Sequence, residues 1–168
     1  AIGVAVNVSA RQFAEPGFTE EIKEVLLRSG LTPALLQLEI TEGVMFNEYE
    51  RTRQAMLQLK QLGVMIAIDD FGTGYSSLTY LKRLPIDIIK IDQSFVRDML
   101  TDDSDKAIIA AIVHMAASLH LGLVAEGVEQ EEQACALRAL DCHIMQGYLY
   151  GQPMPREQFA QALAHNRG

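Results

Sequence analysis

The chain has 168 residues, of which 49% are apolar and 21% charged, with 12 Gly and 5 Pro. Such proportions fit a globular domain large enough for one real core and exclude a collagen-like chain, a disordered polar tail and a disulfide mini-protein. Acidic residues outnumber basic ones 22 to 14, and the net charge of −8 argues against a nucleic-acid polymer or an anionic membrane as partner, while leaving room for an anionic small molecule held through metal ions.

Apolar runs of strand length alternate with longer amphipathic stretches. A first run at residues 2–8 begins the chain in mid-strand, with no initiator Met or signal peptide ahead of it. Residues 18–29 form a helix with Ile22, Val25 and Leu26 on one face and Gly30 as its stop. After a strand at 36–40, Asn47 and Glu50 make a capping box for a helix running through Met56, Leu59 and Leu62 to Gly63. Strands at 64–68 and 86–91 come next. The longest helix, 104–120, turns Ile108, Ile109, Ile112, Met115 and Leu119 inward, with Gly122 just beyond. A strand at 121–125, a helix at 129–140, a weaker strand at 142–148 and a helix opened by Pro155 and reaching His165 complete the order. The strand runs carry Ile, Val and Leu on both parities, as parallel strands covered on both faces require. This alternation implies right-handed βαβ units, an α/β fold and one domain over residues 1–168.

Cys135 and Cys142 are the only cysteines, seven apart and without partners at a zinc spacing, so two free thiols in a reducing cytoplasm are expected. No apolar stretch approaches the roughly 18 residues of a membrane span. His114, His120, His143 and His165 fit no ligand spacing and are read as ordinary helix or loop residues.

Polar residues stand out at or near the C-terminal end of each strand run. They are Asn7, Glu39, Asp69 with Asp70, Lys90, Glu126 and Gln146, at separations of 32, 30, 21, 36 and 20 residues. Each step is one strand–helix unit. Parallel barrels open all strand C-termini onto one face, where active sites sit. A (β/α)8 barrel has eight strands. Six strands in 168 residues, with a mid-strand start, lead to the expectation of an incomplete barrel lacking its first strands.

Asp69 and Asp70 follow an uninterrupted apolar run, and adjacent carboxylates repel unless cations offset them. A magnesium or manganese pair does so through oxygen ligands. Gly72 and Gly74 then allow close backbone approach or a mobile loop. Glu39 lies inside an apolar run and reads as a ligand, whereas Glu42 is equally a solvated turn carboxylate. Lys90, within Ile88-Ile89-Lys90-Ile91-Asp92, either snorkels from an edge or serves carboxylates and phosphate. Asp92 reads as a helix cap. Glu126 reads as a ligand, and Glu129 is as well explained as a first-turn residue favoured by the helix dipole. Asn7 and Gln146 are weak signals singly. Together the residues point to two-metal phosphodiester hydrolysis on a barrel rim, with a metal-assisted aldolase or enolase as the competing chemistry.

The ordered strings Asn7-Val8-Ser9, Glu39-Ile40-Thr41-Glu42, Asp69-Asp70-Phe71-Gly72-Thr73-Gly74-Tyr75-Ser76-Ser77, Lys90-Ile91-Asp92, Glu126-Gly127-Val128-Glu129 and Gln146-Gly147-Tyr148 resemble the successive signatures of the bacterial EAL-domain phosphodiesterases. The resemblance implies a TIM-like barrel that hydrolyses cyclic di-GMP to linear pGpG with Mg²⁺ or Mn²⁺. By that likeness Asn7, Glu39 and Asp69 bind one metal, and Asp69 bridges to a second held with Asp70 and Glu126. Lys90 positions the attacking water, Gln146 supports it, and Glu129 is an accessory acid. Glu42 anchors the loop after Asp69, where Asp70, Phe71, Gly72, Thr73, Gly74 and Ser76 meet substrate and a dimer interface.

One departure accompanies the match. The family's name-giving Glu-Ala-Leu tripeptide, whose glutamate is a metal ligand, does not occur in the chain, nor does the nearby substrate-holding arginine. The expectation is therefore a weak or inactive fragment with an apolar barrel edge, covered in a homodimer. A cyclic di-GMP receptor without catalysis is the alternative reading.

Overall fold

The structure, a computed structural model, describes residues 2–43, 49–74 and 81–165. The strands are β1 (Val4–Asn7), β2 (Leu36–Thr41), β3 (Met65–Phe71), β4 (Ile88–Ile91), β5 (Gly122–Ala125) and β6 (Ile144–Met145). Seven helices of the described residues accompany them: α1 (Ala10–Phe13), α2 (Phe18–Ser29), α3 (Tyr49–Leu62), α4 (Gln93–Asp98), α5 (Asp103–Ser118), α6 (Glu131–Ala139) and α7 (Arg156–His165).

All six strands are parallel and lie in the order β1-β2-β3-β4-β5-β6. A sheet that adds each strand on the same side, through right-handed crossovers, keeps its helices on one face. It therefore curls into a half-barrel of TIM type instead of reversing like a doubly wound sheet. Every strand C-terminus opens on one rim, as the sequence implies.

The core forms between strand residues Ile40, Ile66, Ile68, Ile89 and Ile91 and helix residues Met56, Leu59, Ile109, Ala116 and Leu137, all buried. Each large aliphatic side chain removed from water there contributes about 1.5–3 kcal/mol. The opposite, N-terminal rim is tied by Asp87. Its carboxylate accepts from Lys60 Nζ on α3 at 2.6 and 2.7 Å and from the Ile66 amide at 2.8 Å, while its carbonyl accepts from the Gly122 amide at 2.8 Å. One side chain thus fixes α3 against β3, and the same residue's backbone fixes β5.

Helix ends follow local chemistry. Gly30, at φ 67°, stops α2 and donates its amide to the Leu26 carbonyl. Asp102 caps α5 through the Ser104 amide, and Gln130 with Gln133 caps α6 reciprocally.

Several expectations change. β1 is exposed at every residue, because an edge strand lacks cover on both faces. The run at 142–148 shortens to the two residues of β6, since the Gly147 turn ends the pairing. Val25 and Ile108 face outward, 48% and 38% exposed, each at the margin of its helix's apolar stripe. The helix expected at 129–140 starts at Glu131, because Gly127 holds φ 68° in the loop ahead of it. The short helix α1, capped by Ser9 and Gln12, was not foreseen. The capping box at Asn47 lies outside the described residues.

Both cysteines are free; Cys135 is exposed and Cys142 buried. Burial pushes the Cys142 thiol up to about 11, so at about pH 8 roughly one molecule in a thousand carries its thiolate. Iodoacetamide at that pH will label one equivalent, at Cys135, with the second appearing only on denaturation. Rapid labelling of both thiols in the folded protein, read by intact mass, would contradict this packing.

Candidate active site

Lys90 projects from β4 into the rim and is buried. Its ammonium lies 2.6 Å from Glu39 Oε2, 2.9 Å from Asp69 Oδ1 and 2.7 Å from Glu126 Oε1. The contact with Glu39 is a well-aligned hydrogen bond, whereas Asp69 Oδ1 is buried and meets Lys90 as an ion pair of poorer alignment. Burial works to lower the Lys90 pKa, but the three carboxylates overcome it and hold the ammonium above the ordinary lysine range. Carboxylates from β2 and β3 and from the exit of β5 are thus gathered on one cation from β4.

A strand alternates its side chains, so Asp69 and Asp70 should face opposite ways. A bulge resolves the conflict. Ile68 pairs with Ile89 but Phe71 pairs with Ile91, leaving one extra residue on β3, and Asp70 sits at φ 53°. The left-handed turn brings both carboxylates to the rim. Aspartate tolerates this conformation better than most residues, at a cost of about 1–2 kcal/mol.

Asp70 faces Asp92, which accepts from the Ser94 amide and hydroxyl while capping α4. Burial first, then the charge of Asp69 and a hydrogen bond to Asp92, push the Asp70 carboxyl above the usual range. Burial also acts to raise Asp92, but the donors from Ser94 outweigh it and hold it low. Glu126 is pushed up to about 7 by burial and by Asp69, against the pull of Lys90. The rim therefore holds more negative charge than one ammonium offsets.

Asp69, Asp70 and Glu126 each offer an oxygen within 4.8 Å of the others. An all-oxygen set containing a buried carboxylate oxygen without a hydrogen bond fits a hard divalent cation. Beside it, a cleft of about 310 Å³ is lined by Asp70, Gln93, Glu126, Gly127, Glu129, Gln146, Gly147 and Tyr148. Its walls depend on close backbone approach: a Cβ on Gly147 would come within 2.2 Å of the Val128 carbonyl, and one on Gly127 within 2.5 Å of Gln93.

The remaining candidates divide. Asn7 ends β1 in register with Glu39, exposed and without a hydrogen bond to the cluster. Glu42 is buried, its oxygens accept no hydrogen bond, and a Cβ on Gly74 would sit 3.0 Å from its Oε1. Phe71, expected in the loop, is instead a core residue ending β3, because the bulge turns its ring inward. Gly72 and Thr73 begin the loop, and Ser76 lies outside the described residues. Gln93 and Gln37 are site neighbours not expected from the sequence. Gln37 gave a usable signal, standing two residues before Glu39 on the same strand face.

Because Glu126 binds its proton more tightly when folded, its stabilising contribution is present below its ordinary value of 4.5 and lost as pH rises through about 7. In EDTA, Glu126→Gln will therefore raise the melting temperature by a few degrees at about pH 8, with a smaller gain at about pH 5. A lowered melting temperature at the higher pH would refute that charge balance.

The EAL domain family model matches residues 1–153. The bifunctional diguanylate cyclase/cyclic di-GMP phosphodiesterase MucR of Pseudomonas aeruginosa is 47% identical over 161 residues, 96% of this chain and 24% of that protein. The cyclic di-GMP phosphodiesterase NbdA of the same organism is 43% identical over 95% of this chain and 21% of its own length. The chain thus spans about a quarter or less of these relatives. The structure of the MucR phosphodiesterase in complex with c-di-GMP superposes with a TM-score of 0.90, over 94% of this chain and 64% of that one, at 47% identity. Klebsiella pneumoniae BlrP1, solved with manganese and cy-diGMP, gives a TM-score of 0.83 at 34% identity, over 90% of this chain and 39% of its own. With the rim residues on a half-barrel of this type, the chain belongs to the EAL domain family.

Proposed function

We propose that this chain carries the catalytic rim of a metal-dependent phosphodiesterase that opens cyclic di-GMP to linear pGpG in the bacterial cytoplasm. The gathering of Glu39, Asp69 and Glu126 around Lys90, with Asp69 Oδ1 lacking a hydrogen bond, carries this reading. The names of the relatives and the ligands of the related structures support the substrate.

In this reading Asn7, Glu39, Asp69, Asp70 and Glu126 are the residues that would hold Mg²⁺ or Mn²⁺. Bound there, the metal supplies Lewis acidity toward the phosphodiester and a lowered pKa for water. Lys90 orients the attacking water and offsets charge developing on phosphate, its ammonium fixed by three acceptors. Gln146 and Glu129 face the cleft and hold the reacting groups in line. Glu42, against Gly74, fixes the start of the loop that carries Gly72 and Thr73.

Incubated with cyclic di-GMP and Mn²⁺, the protein will release pGpG only weakly, and EDTA will stop what reaction there is. Asp69→Asn will lower turnover by at least about 100-fold, the several kcal/mol expected when a metal-binding oxygen is lost. Turnover indifferent to both EDTA and Asp69→Asn would sink the metal mechanism. Nucleotide binding without product would favour the receptor reading.

A further inference from the structure

Glu39 is held at both carboxylate oxygens. Lys90 Nζ donates to Oε2 at 2.6 Å, and Gln37 Nε2 donates to Oε1 at 2.8 Å. The amide orientation follows from the partner, since only the NH₂ end of Gln37 can donate to a carboxylate. The two residues stand two apart on β2, so the strand's period places both side chains on one face.

We propose that Gln37 is a positioning residue that fixes the carboxylate plane of Glu39 for metal binding. A glutamate has three side-chain torsions, the last broad and roughly two-fold, so a single donor leaves its plane free to turn. Lys90 cannot fix that plane alone, because its ammonium is shared with Asp69 and Glu126. With Gln37 on Oε1, the carboxylate keeps Oε2 turned toward the cation-binding rim. This is the arrangement by which outer residues orient metal ligands, and losing one typically weakens metal binding about 10- to 100-fold. Gln37 is half-buried and outside the hydrophobic core, so its replacement leaves the packing in place.

This inference rests on the metal-binding reading above. Mn²⁺ alone is the probe, titrated calorimetrically into the protein. Gln37→Met preserves length and removes the donor; it is expected to weaken Mn²⁺ binding about tenfold or more, with the melting temperature in EDTA lowered by only a few degrees through the lost donor. Glu39→Ala and the double variant complete a cycle. The effect of Gln37→Met vanishes in the Glu39→Ala background if Gln37 acts through Glu39, and persists if its role is merely structural. Unchanged Mn²⁺ affinity in Gln37→Met, or an equal loss in both backgrounds, overturns the inference. If the unsubstituted protein binds no Mn²⁺, the metal-binding reading itself falls and the inference with it. Gln37→Ala serves in the same cycle should the methionine variant fail to fold.

Discussion

The rim depends on one buried cation. Lys90 stands on a central strand, among residues that would otherwise be an apolar floor, and three carboxylates from neighbouring elements converge on it. A buried ammonium without partners is costly, and so is a carboxylate cluster without a cation. Each therefore requires the other, and removing the lysine, which would leave the carboxylates uncompensated, would cost about 3–5 kcal/mol. The mutual dependence fixes more than charge. It ties the C-terminal ends of β2, β3, β4 and β5 to a common point, as Asp87 ties α3, β3 and β5 at the opposite rim. The half-barrel is thus laced at both ends by polar contacts, with the aliphatic core between them.

Backbone geometry does the rest of the positioning. The bulge after Ile68 lets consecutive aspartates share one side of the sheet, which a regular strand forbids. The strained Asp70 lies inside the site, where departures from regular conformation concentrate. Gly127 leaves room for Gln93 of α4, while Gly147 lets the loop after β6 approach that after β5 until no Cβ would fit against Val128. Through that contact the Val128 amide donates to the Gln146 carbonyl, and the Leu149 amide donates to the Val128 carbonyl. Glu126, Glu129 and Gln146 therefore share one cleft because backbone interlocks with backbone.

Much of this was legible in the sequence, for a physical reason. Glu39, Asp69 and Lys90 interrupt or end apolar strands, where a charge is tolerated only with a partner, so residue type and position together betray the site. The sheet order was equally legible, because strand–helix alternation admits few topologies. What stayed hidden depended on exact packing. Phe71 looked like part of a glycine-rich loop, but the bulge shifts its side chain into the core. Asp92 reads as a cap from sequence and is one, yet its second role beside Asp70 comes from the fold of β3. Gln37 shares a strand face with Glu39, but only the fold shows its amide donating to that carboxylate.

The rim is charged beyond what the protein itself neutralises. Glu39, Asp69, Asp70 and Glu126 face one lysine, and the surplus appears where expected, in raised proton affinity at Asp70 and Glu126. A rim selected only for stability would carry fewer acids, or a second cation in place of one. Protons relieve the surplus at low pH, and divalent cations relieve it near neutrality without occupying the same oxygens in the same way. On the metal-binding reading the two sources of relief would compete, so an ion taken up at this rim would displace protons, from Glu126 among others. The excess of acid that makes the rim costly is the property that would attract a cation to it. Lys90 sets the limit of that excess, drawing the carboxylates to one point and keeping the strands that bear them together.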